Sequence, residues 1–145
     1  MFNDKVLKLN ICELKRSVAE ALRTLGYTAL SGGEDTAPPA VHEYPCGKVA
    51  PLEITSIDGR NEGLVTCGLR LRLAALPPSP DPAAAEQLEE SLLGDAALLY
   101  SIVTQGKNVC HAGRFSCAPD RTHQSPHGET AVKVSFEIGF RVCFR

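Results

Sequence analysis

The densest group of residues able to bind a metal lies in the second half of the chain. Its members are two cysteines and three histidines: Cys110, His111, Cys117, His123 and His127. Thiolate and imidazole are the ligands that zinc prefers, but their spacing here does not fit the closely paired cysteines of structural zinc sites. The sequence therefore favours cysteines on a strand and histidines in a solvated loop. A small metal-binding domain built on this segment is the less favoured alternative.

The same residue types also support nucleophilic catalysis, in which a histidine activates a cysteine. No cysteine-protease signature surrounds any of the six cysteines, and the chain has no tryptophan to line such a cleft. The phosphate-loop, dinucleotide and H-E-x-x-H motifs are missing as well. Adjacent carboxylates occur at Glu34 and Asp35 and at Glu89 and Glu90, without a partner that would indicate acid–base work. We therefore expect no catalytic, cofactor-binding or metal-binding residues.

Two segments have the apolar spacing of amphipathic helices. In the first, apolar residues recur at steps of three and four over residues 7–25. Its start is either Asn10, which could form a capping box with Glu13, or a point near Asn3 and Asp4. Gly26 is a natural residue to end this helix.

The second helix follows the proline-rich sequence "PPSPDP". Asp81 is the predicted N-cap, and Pro82 suits the first helical position. Gly94 is predicted to interrupt the helix, with Asp95 capping a second helical piece. Gly106 is predicted to end that piece.

Alternating apolar residues predict the strands. Residues 48–57 and 64–74 flank the turn sequence "DGRNEG" and are predicted to form an antiparallel hairpin. Pro51 places the first of these strands at an edge, or delays its start. Residues 109–117 are predicted to form a short strand.

The last 15 residues, 131–145, are apolar at every second position. A strand of this length spans on the order of 45 Å, well beyond the usual strand. We therefore expect its end to project past the domain, or to pair along an edge shared with a neighbouring subunit. Phe140, Val142 and Phe144 would then form an exposed apolar row. Arg141 and Arg145 lie on the opposite side of the strand.

These elements predict one α+β domain over residues 1–145, with a mostly antiparallel sheet of about four strands and two main helices packed on it. Residues 31–47 and 118–129 are predicted to be long loops. The predicted core comprises the residues on the apolar stripe of each element: Leu14, Val18, Leu22, Leu69, Leu71, Leu92, Leu99, Val134, Phe136 and Ile138.

Composition is that of an ordinary globular protein, with 43% hydrophobic residues and a net charge of −2. We expect no membrane association and no direct recognition of nucleic acid. The start of the sequence has no signal-peptide pattern, so a cytoplasmic protein with reduced thiols is expected. Five basic residues share the polar sides of two predicted strands: Arg70, Arg72, Lys133, Arg141 and Arg145. They would form either a basic face that meets an acidic protein or a plain solvated face, and the sequence does not decide between these.

The C-terminal half, "LEESLLGDAALLYSIVTQG" followed by a polar loop and "AVKVSFEIGFRVCFR", resembles a group of minor tail proteins of long-tailed bacteriophages. It is similar to the tail-terminator, or tail-completion, proteins, including those of Mu-like phages. The shared features are an amphipathic N-terminal helix, a hairpin, a second helix and a closing strand, here residues 14–25, 52–73, 88–103 and 140–145. The long loops and the six cysteines are not part of that pattern.

The resemblance implies a non-enzymatic virion protein that assembles in the host bacterial cytoplasm. Tail terminators form a homo-hexameric ring that caps the tail tube, contacts the tube protein, and presents a surface to a neck or connector protein. The residues expected at the interface between subunits are Phe140, Arg141, Val142, Phe144, Arg145, Arg70 and Arg72. Another neck or head–tail joining protein of the same particle is the alternative.

Overall fold

The computed structural model of the chain describes residues 4–32, 38–60, 62–121 and 128–143. Two helices and six strands make up the fold, which confirms the α+β class. The elements are α1 (Asp4–Thr24), β1 (Thr28–Ser31), β2 (Cys46–Val49), β3 (Glu53–Gly59), β4 (Glu62–Ala75), α2 (Pro82–Thr104), β5 (His111–Pro119) and β6 (Thr130–Cys143). The prediction of about four strands was too low, because short strands form in the segment before the hairpin.

The six strands form one mixed sheet in the order β1-β2-β4-β6-β5. β3 pairs with β4 as well, on the same edge as β2 but along the other part of that strand. The β1–β2 pair is parallel and the other pairs are antiparallel. The sheet is therefore mixed, with a core of four antiparallel strands, β3, β4, β6 and β5.

Pro51 divides the segment that was predicted as one strand over residues 48–57. β2 ends at Val49 and β3 begins at Glu53. Between them, the N–H of Ala50 still donates to the carbonyl of Arg70 at 2.9 Å, but proline has no N–H with which to continue the ladder. The chain therefore pairs with β4 twice, once on each side of the proline.

The predicted loop over residues 31–47 is also partly ordered into secondary structure. Its first residue ends β1, its last two begin β2, and Val41–Glu43 form a 3-10 turn. The predicted loop over residues 118–129 begins inside β5, which runs to Pro119. Residues 33–37 and 122–127 of the two predicted loops lie outside the described residues.

β4 and β6 pair over their full lengths of 14 residues, from the Glu62–Cys143 pair to the Ala75–Thr130 pair. The length of β6 is thus matched by an equally long partner. The expectation that β6 projects past the domain was wrong for residues 130–143, because β4 continues beside it to the end. Residues 144–145 lie outside the described part of the chain.

Both helices pack on one face of this strand pair. All ten residues predicted for the core are buried there, with exposures of 4% or less. The alternation of β6 explains this, because its even-numbered residues face the helices beside the odd-numbered residues of β4. The opposite face of the sheet, here called the outer face, carries most of the charged side chains of the two strands.

The helix ends lie at or near the residues predicted for them. α1 begins at Asp4, the earlier of the two predicted starts, and Asn10 lies inside the helix. Gly26 ends it in a left-handed conformation with φ of +89°. At the start of α2, the Asp81 carboxylate accepts a hydrogen bond from the N–H of Ala83 at 3.0 Å. α2 ends at Thr104, shortly before Gly106.

The predicted interruption at Gly94 is absent, and α2 is continuous through it. A glycine inside a helix costs only about 0.5–1 kcal/mol, and the burial of Leu92, Ala96 and Leu99 on either side offsets that cost. Asp95 therefore caps no helix. Its carboxylate accepts a hydrogen bond of 2.5 Å from the hydroxyl of Tyr27, which ties α2 to the end of α1.

Candidate interaction surfaces

Phe140 and Val142, which were predicted to form an exposed apolar row, are each only 2% exposed. They pair across β4 with Val65 and Gly63 and point to the helix side, where they belong to the hydrophobic core. The prediction of an exposed row was wrong for these two side chains because β4 and the core continue to the end of β6. The other predicted members of the C-terminal interface, Phe144 and Arg145, lie outside the described residues.

The basic residues predicted on the sheet do share the outer face, since Arg70 pairs with Ser135 and Arg72 with Lys133 across the strands. They do not form a basic surface, because acids lie among them. Arg70 forms an exposed ion pair of 2.7 Å with Glu53. Arg141 is exposed on the same face, toward the other end of β6.

Arg72 is the centre of a buried ionic cluster on the outer face. Its guanidinium lies 2.9 Å from Asp120 and 2.5 Å from Glu129, whose side chains are 0% and 4% exposed. The hydroxyl of Tyr44 donates a hydrogen bond to Glu129. Burial acts to lower the pKa of Arg72, but the hydrogen bonds to Asp120 and Glu129 outweigh it and raise that pKa. The cluster ties three separate segments of the chain to β4.

Of the cysteines and histidines considered for a metal site, the three that the structure describes do not come together. Cys110 and His111 lie beside Gly139 of β6, whereas Cys117 lies beside Val134, five residues along the same strand. His123 and His127 lie outside the described residues. Within residues 4–32, 38–60, 62–121 and 128–143, no three His, Cys, Asp or Glu side chains are placed to hold a metal ion.

A shallow groove runs along the end of the sheet where Cys110 and His111 lie. It has a volume of about 650 Å³ and is lined by Asp58, Gly59, Gly63, Leu64, Cys110, His111, Arg141 and Val142. The Cys110 thiol donates a hydrogen bond of 3.4 Å to the carbonyl of Gly139. Among the described residues, the hydrogen bond of this thiol goes to the backbone and not to the ring of His111.

The thiols are expected to differ in reactivity, because Cys12 and Cys110 are exposed while Cys46 and Cys67 are buried. Burial, with a smaller effect of Glu129, raises the pKa of Cys46 to about 11, and burial raises the pKa of Cys67. At pH 8, iodoacetamide should alkylate Cys12 and Cys110 long before the two buried thiols, because the thiolate is the reactive form. Peptide mass spectrometry after timed quenching measures this order.

Equal labelling rates for Cys46 and Cys12 in the folded protein would contradict the burial of Cys46.

The raised pKa of Cys46 also makes the stability of the protein depend on pH at high pH. A thiol whose pKa is higher in the folded protein contributes stability in full below about pH 8.5, the pKa of an unfolded cysteine. This contribution of Cys46 is lost as the pH rises through its folded pKa of about 11.

The first apolar surface left open is the β3 edge, defined here by Ile54 and Ile57. All seven residues of β3 are exposed, and these two isoleucines are 46% and 49% exposed. They pair with Cys67 and Val65 and so lie on the helix side of the sheet, yet neither helix reaches far enough to cover them. In the described part of the chain, no strand pairs with the outer side of β3.

The opposite border of the sheet is the β5 edge, defined here by Arg114 and Phe115. A bulge interrupts the pairing of β5 with β6 at this point, and Arg114 has a φ of +53°. Phe115 is 36% exposed, and its ring packs 5.0 Å from that of Tyr100 on the helix side. Among the described strands, none pairs with the outer side of β5.

The two edges differ in charge. β3 contains two acidic residues, Glu53 and Asp58. β5 contains two basic residues, His111 and Arg114. These four side chains are exposed and belong to the outer face. The β3 border therefore carries two carboxylates, one of them paired with Arg70, and the β5 border carries the guanidinium of Arg114.

A third exposed apolar pair, Leu98 and Ile102, lies one helical turn apart on α2 and is 53% and 38% exposed.

Sequence reasoning missed all three surfaces. Pro51 indicated an edge strand, but nothing in the sequence marked Ile54 and Ile57 as side chains that stay exposed. The sequence also contains no signal for the bulge that turns Arg114 outward, because the bulge depends on how β5 pairs with β6.

Neither helix, within the residues that the structure describes, is long and apolar enough to cross a membrane. Comparisons with protein-family models and with curated protein sequences find no match to this chain.

Proposed function

We propose that this chain is a non-enzymatic virion protein of a long-tailed bacteriophage, a tail terminator. In this role, copies of the chain form a hexameric ring that ends the growing tail tube and joins the tail to the head through a neck or connector protein. The support for this proposal is the resemblance of residues 14–25, 52–73, 88–103 and 140–145 to that group of proteins.

The structural observation that supports the proposal best is the pair of open sheet edges. An uncovered edge strand is a ready template for pairing with another chain, and natural proteins usually protect it. Here the β3 edge carries two isoleucines that are close to half exposed. Exposed apolar groups of this kind mark contact surfaces.

The position of the two edges favours a ring over a two-fold dimer. A two-fold contact uses the same patch on both subunits, whereas a head-to-tail contact joins two different patches and closes into a ring when the rotation allows. The β3 edge and the β5 edge are different surfaces on opposite sides of the sheet. They are also opposite in charge, which is what a head-to-tail contact needs.

The proposal predicts that the purified chain stops the growth of tail tubes. Tube protein of the same phage would be polymerised with and without the chain, and tube lengths would be measured by negative-stain electron microscopy. We expect short tubes, each with a ring at one end. An unrelated protein of similar size, added at the same concentration, is the control for dilution and crowding.

Tubes of unchanged length without end-bound rings would contradict the terminator function. If the chain forms rings that bind a neck protein and never a tube end, the alternative of another head–tail joining protein is correct. Gold labelling of the chain on assembled tails distinguishes these positions directly.

A further inference from the structure

We propose that neighbouring copies of the chain join by strand pairing, with β3 of one copy lying antiparallel beside β5 of the next. The antiparallel sheet would then continue from subunit to subunit along β3 and the first half of β5, up to the bulge at Arg114, because β1 occupies the next position of the sheet beyond that point. This inference rests on the proposed function, because it names the contact by which the ring closes. The occupant of each open edge is thus a second copy of the same chain.

Strand direction permits this pairing without reorientation of the copies. β3 runs antiparallel to β4, β4 to β6, and β6 to β5. β3 and β5 of one chain therefore run in opposite directions. When a second copy follows in the same orientation, its β3 runs antiparallel to the β5 beside it, so the alternation of directions is preserved across the junction.

The side chains of the two edges match on both faces of such a sheet. On the helix side, Ile54 of one copy would lie near Phe115 of the next, and both are at least 36% exposed in the single chain. Apolar and aromatic side chains on one face of paired strands stabilise the pair. The contact would therefore cover Ile54 and Phe115, whereas Ile57 is level with Phe140 and lies beyond the first residue of β5.

On the outer face, the acidic residues of β3 would lie against the basic residues of β5. Glu53 pairs with Gly68, Gly68 with Glu137, and Glu137 with Gly113. Glu53 is thus level with the residue that precedes Arg114. Arg114 is 85% exposed, and only a loose contact of 3.7 Å joins it to Glu137. Its guanidinium is therefore available to the Glu53 carboxylate of a neighbouring copy.

The distance between Glu53 and Arg114 within one chain allows a cross-linking test of the contact between copies. Within one chain, three strand spacings separate Glu53 from Arg114, which is about 14 Å. A disulfide requires Cα atoms about 4.4–6.8 Å apart. Cysteines at these two positions can therefore join only different copies, provided that the copies meet as proposed.

The experiment uses the full chain with Cys12→Ser and Cys110→Ser to remove the exposed thiols, together with Glu53→Cys and Arg114→Cys. After oxidation by copper phenanthroline, non-reducing gel electrophoresis should show a ladder of covalent oligomers that ends at the ring. The matched control carries Val41→Cys and Leu98→Cys, which are 56% and 53% exposed but lie away from both edges. We expect no ladder from this control.

A charge exchange provides a second measurement on chains with native thiols. Arg114→Glu alone should weaken association about tenfold, because it places like charges at the junction. Glu53→Arg combined with Arg114→Glu should restore association, because the pair is re-formed with its charges exchanged. All substituted side chains are exposed, so the fold is expected to be retained, and circular dichroism checks this.

The outcomes separate this inference from the function on which it rests. Rings of normal mass that yield no ladder, or that are unaffected by Arg114→Glu, would overturn the β3–β5 contact and leave the terminator function standing. A chain that remains monomeric and forms no ladder would overturn both. A strand of another protein would then be the occupant of the open edges.

Discussion

Replacing Phe136 by alanine is expected to lower the free energy of unfolding by about 3–5 kcal/mol. Phe136 is 2% exposed at the middle of β6. Its ring packs edge-on against that of Tyr100 at 5.2 Å. It also lies 6.5 Å from the ring of Phe115. Deleting the ring would leave a cavity where the sheet meets α2, and urea denaturation followed by circular dichroism measures the loss.

Phe115→Ala is the matched control for this prediction. It removes the same ring from the same aromatic cluster, but at a position that is 36% exposed in the single chain. We expect it to cost less than half as much as Phe136→Ala when measured on the monomer. Equal costs for the two variants would show that the assignment of Phe136 to the closed core is wrong.

Replacing Arg72 by alanine should be equally damaging, with an expected loss of about 3–5 kcal/mol. The change leaves the carboxylates of Asp120 and Glu129 buried without the guanidinium that lies 2.9 Å and 2.5 Å from them. The penalty is mostly that of two buried carboxylates losing their nearest positive charge, since the ammonium of Lys133, 3.9 Å from Asp120, is more distant and half exposed. Urea denaturation at neutral pH measures it.

Arg70→Ala is the control for Arg72→Ala, since the two arginines are neighbours on the same face of β4. The pair that Arg70 makes with Glu53 is exposed, at 61% and 59% of the two side chains. Exposed pairs contribute about 0–1 kcal/mol, so Arg70→Ala should be nearly neutral. If Arg72→Ala were just as mild, the cluster would not be buried in the folded protein.

Local patterns were sufficient to predict the elements that form the core. Period two over residues 131–145 predicted β6, and the stripe from Leu14 to Leu25 predicted the apolar face of α1. The stripe of β6 is buried from Val132 to Val142, and that of α1 at Leu14, Val18 and Leu22, because alternation and helical spacing are properties of the chain itself. Asp81 and Gly26 likewise mark helix ends through hydrogen bonds and backbone conformations that involve only near neighbours.

The features that were not predicted depend on contacts between distant segments. The length of β6 is accounted for by β4, which lies more than 50 residues earlier and pairs with all of it. The sequence does not indicate that the carboxylates of Asp120 and Glu129 form a buried cluster, because that follows only from their contacts with Arg72 on a distant strand. Gly94 has the local signal of a helix break, but tertiary packing around Leu92 and Leu99 overrides it.

The burial of Phe140 and Val142 also changes how assembly should be tested. Deleting residues 139–145, the end of the predicted interface strand, is a poor test of the ring. Those residues include two side chains of the core and the last pairs with β4, so the deletion would unfold the domain whether or not a ring exists. Substitutions at the exposed β3 and β5 edges avoid this ambiguity.

The central claim is that the chain assembles with copies of itself, and its mass in solution tests that claim most directly. Sedimentation equilibrium would be measured on the intact chain over a wide range of concentrations, alone and with tail tubes. The account predicts a species with the mass of a hexamer of 15.5 kDa chains, either free or bound to tube ends. A protein that stays monomeric at high concentration, both alone and with tubes present, would contradict it.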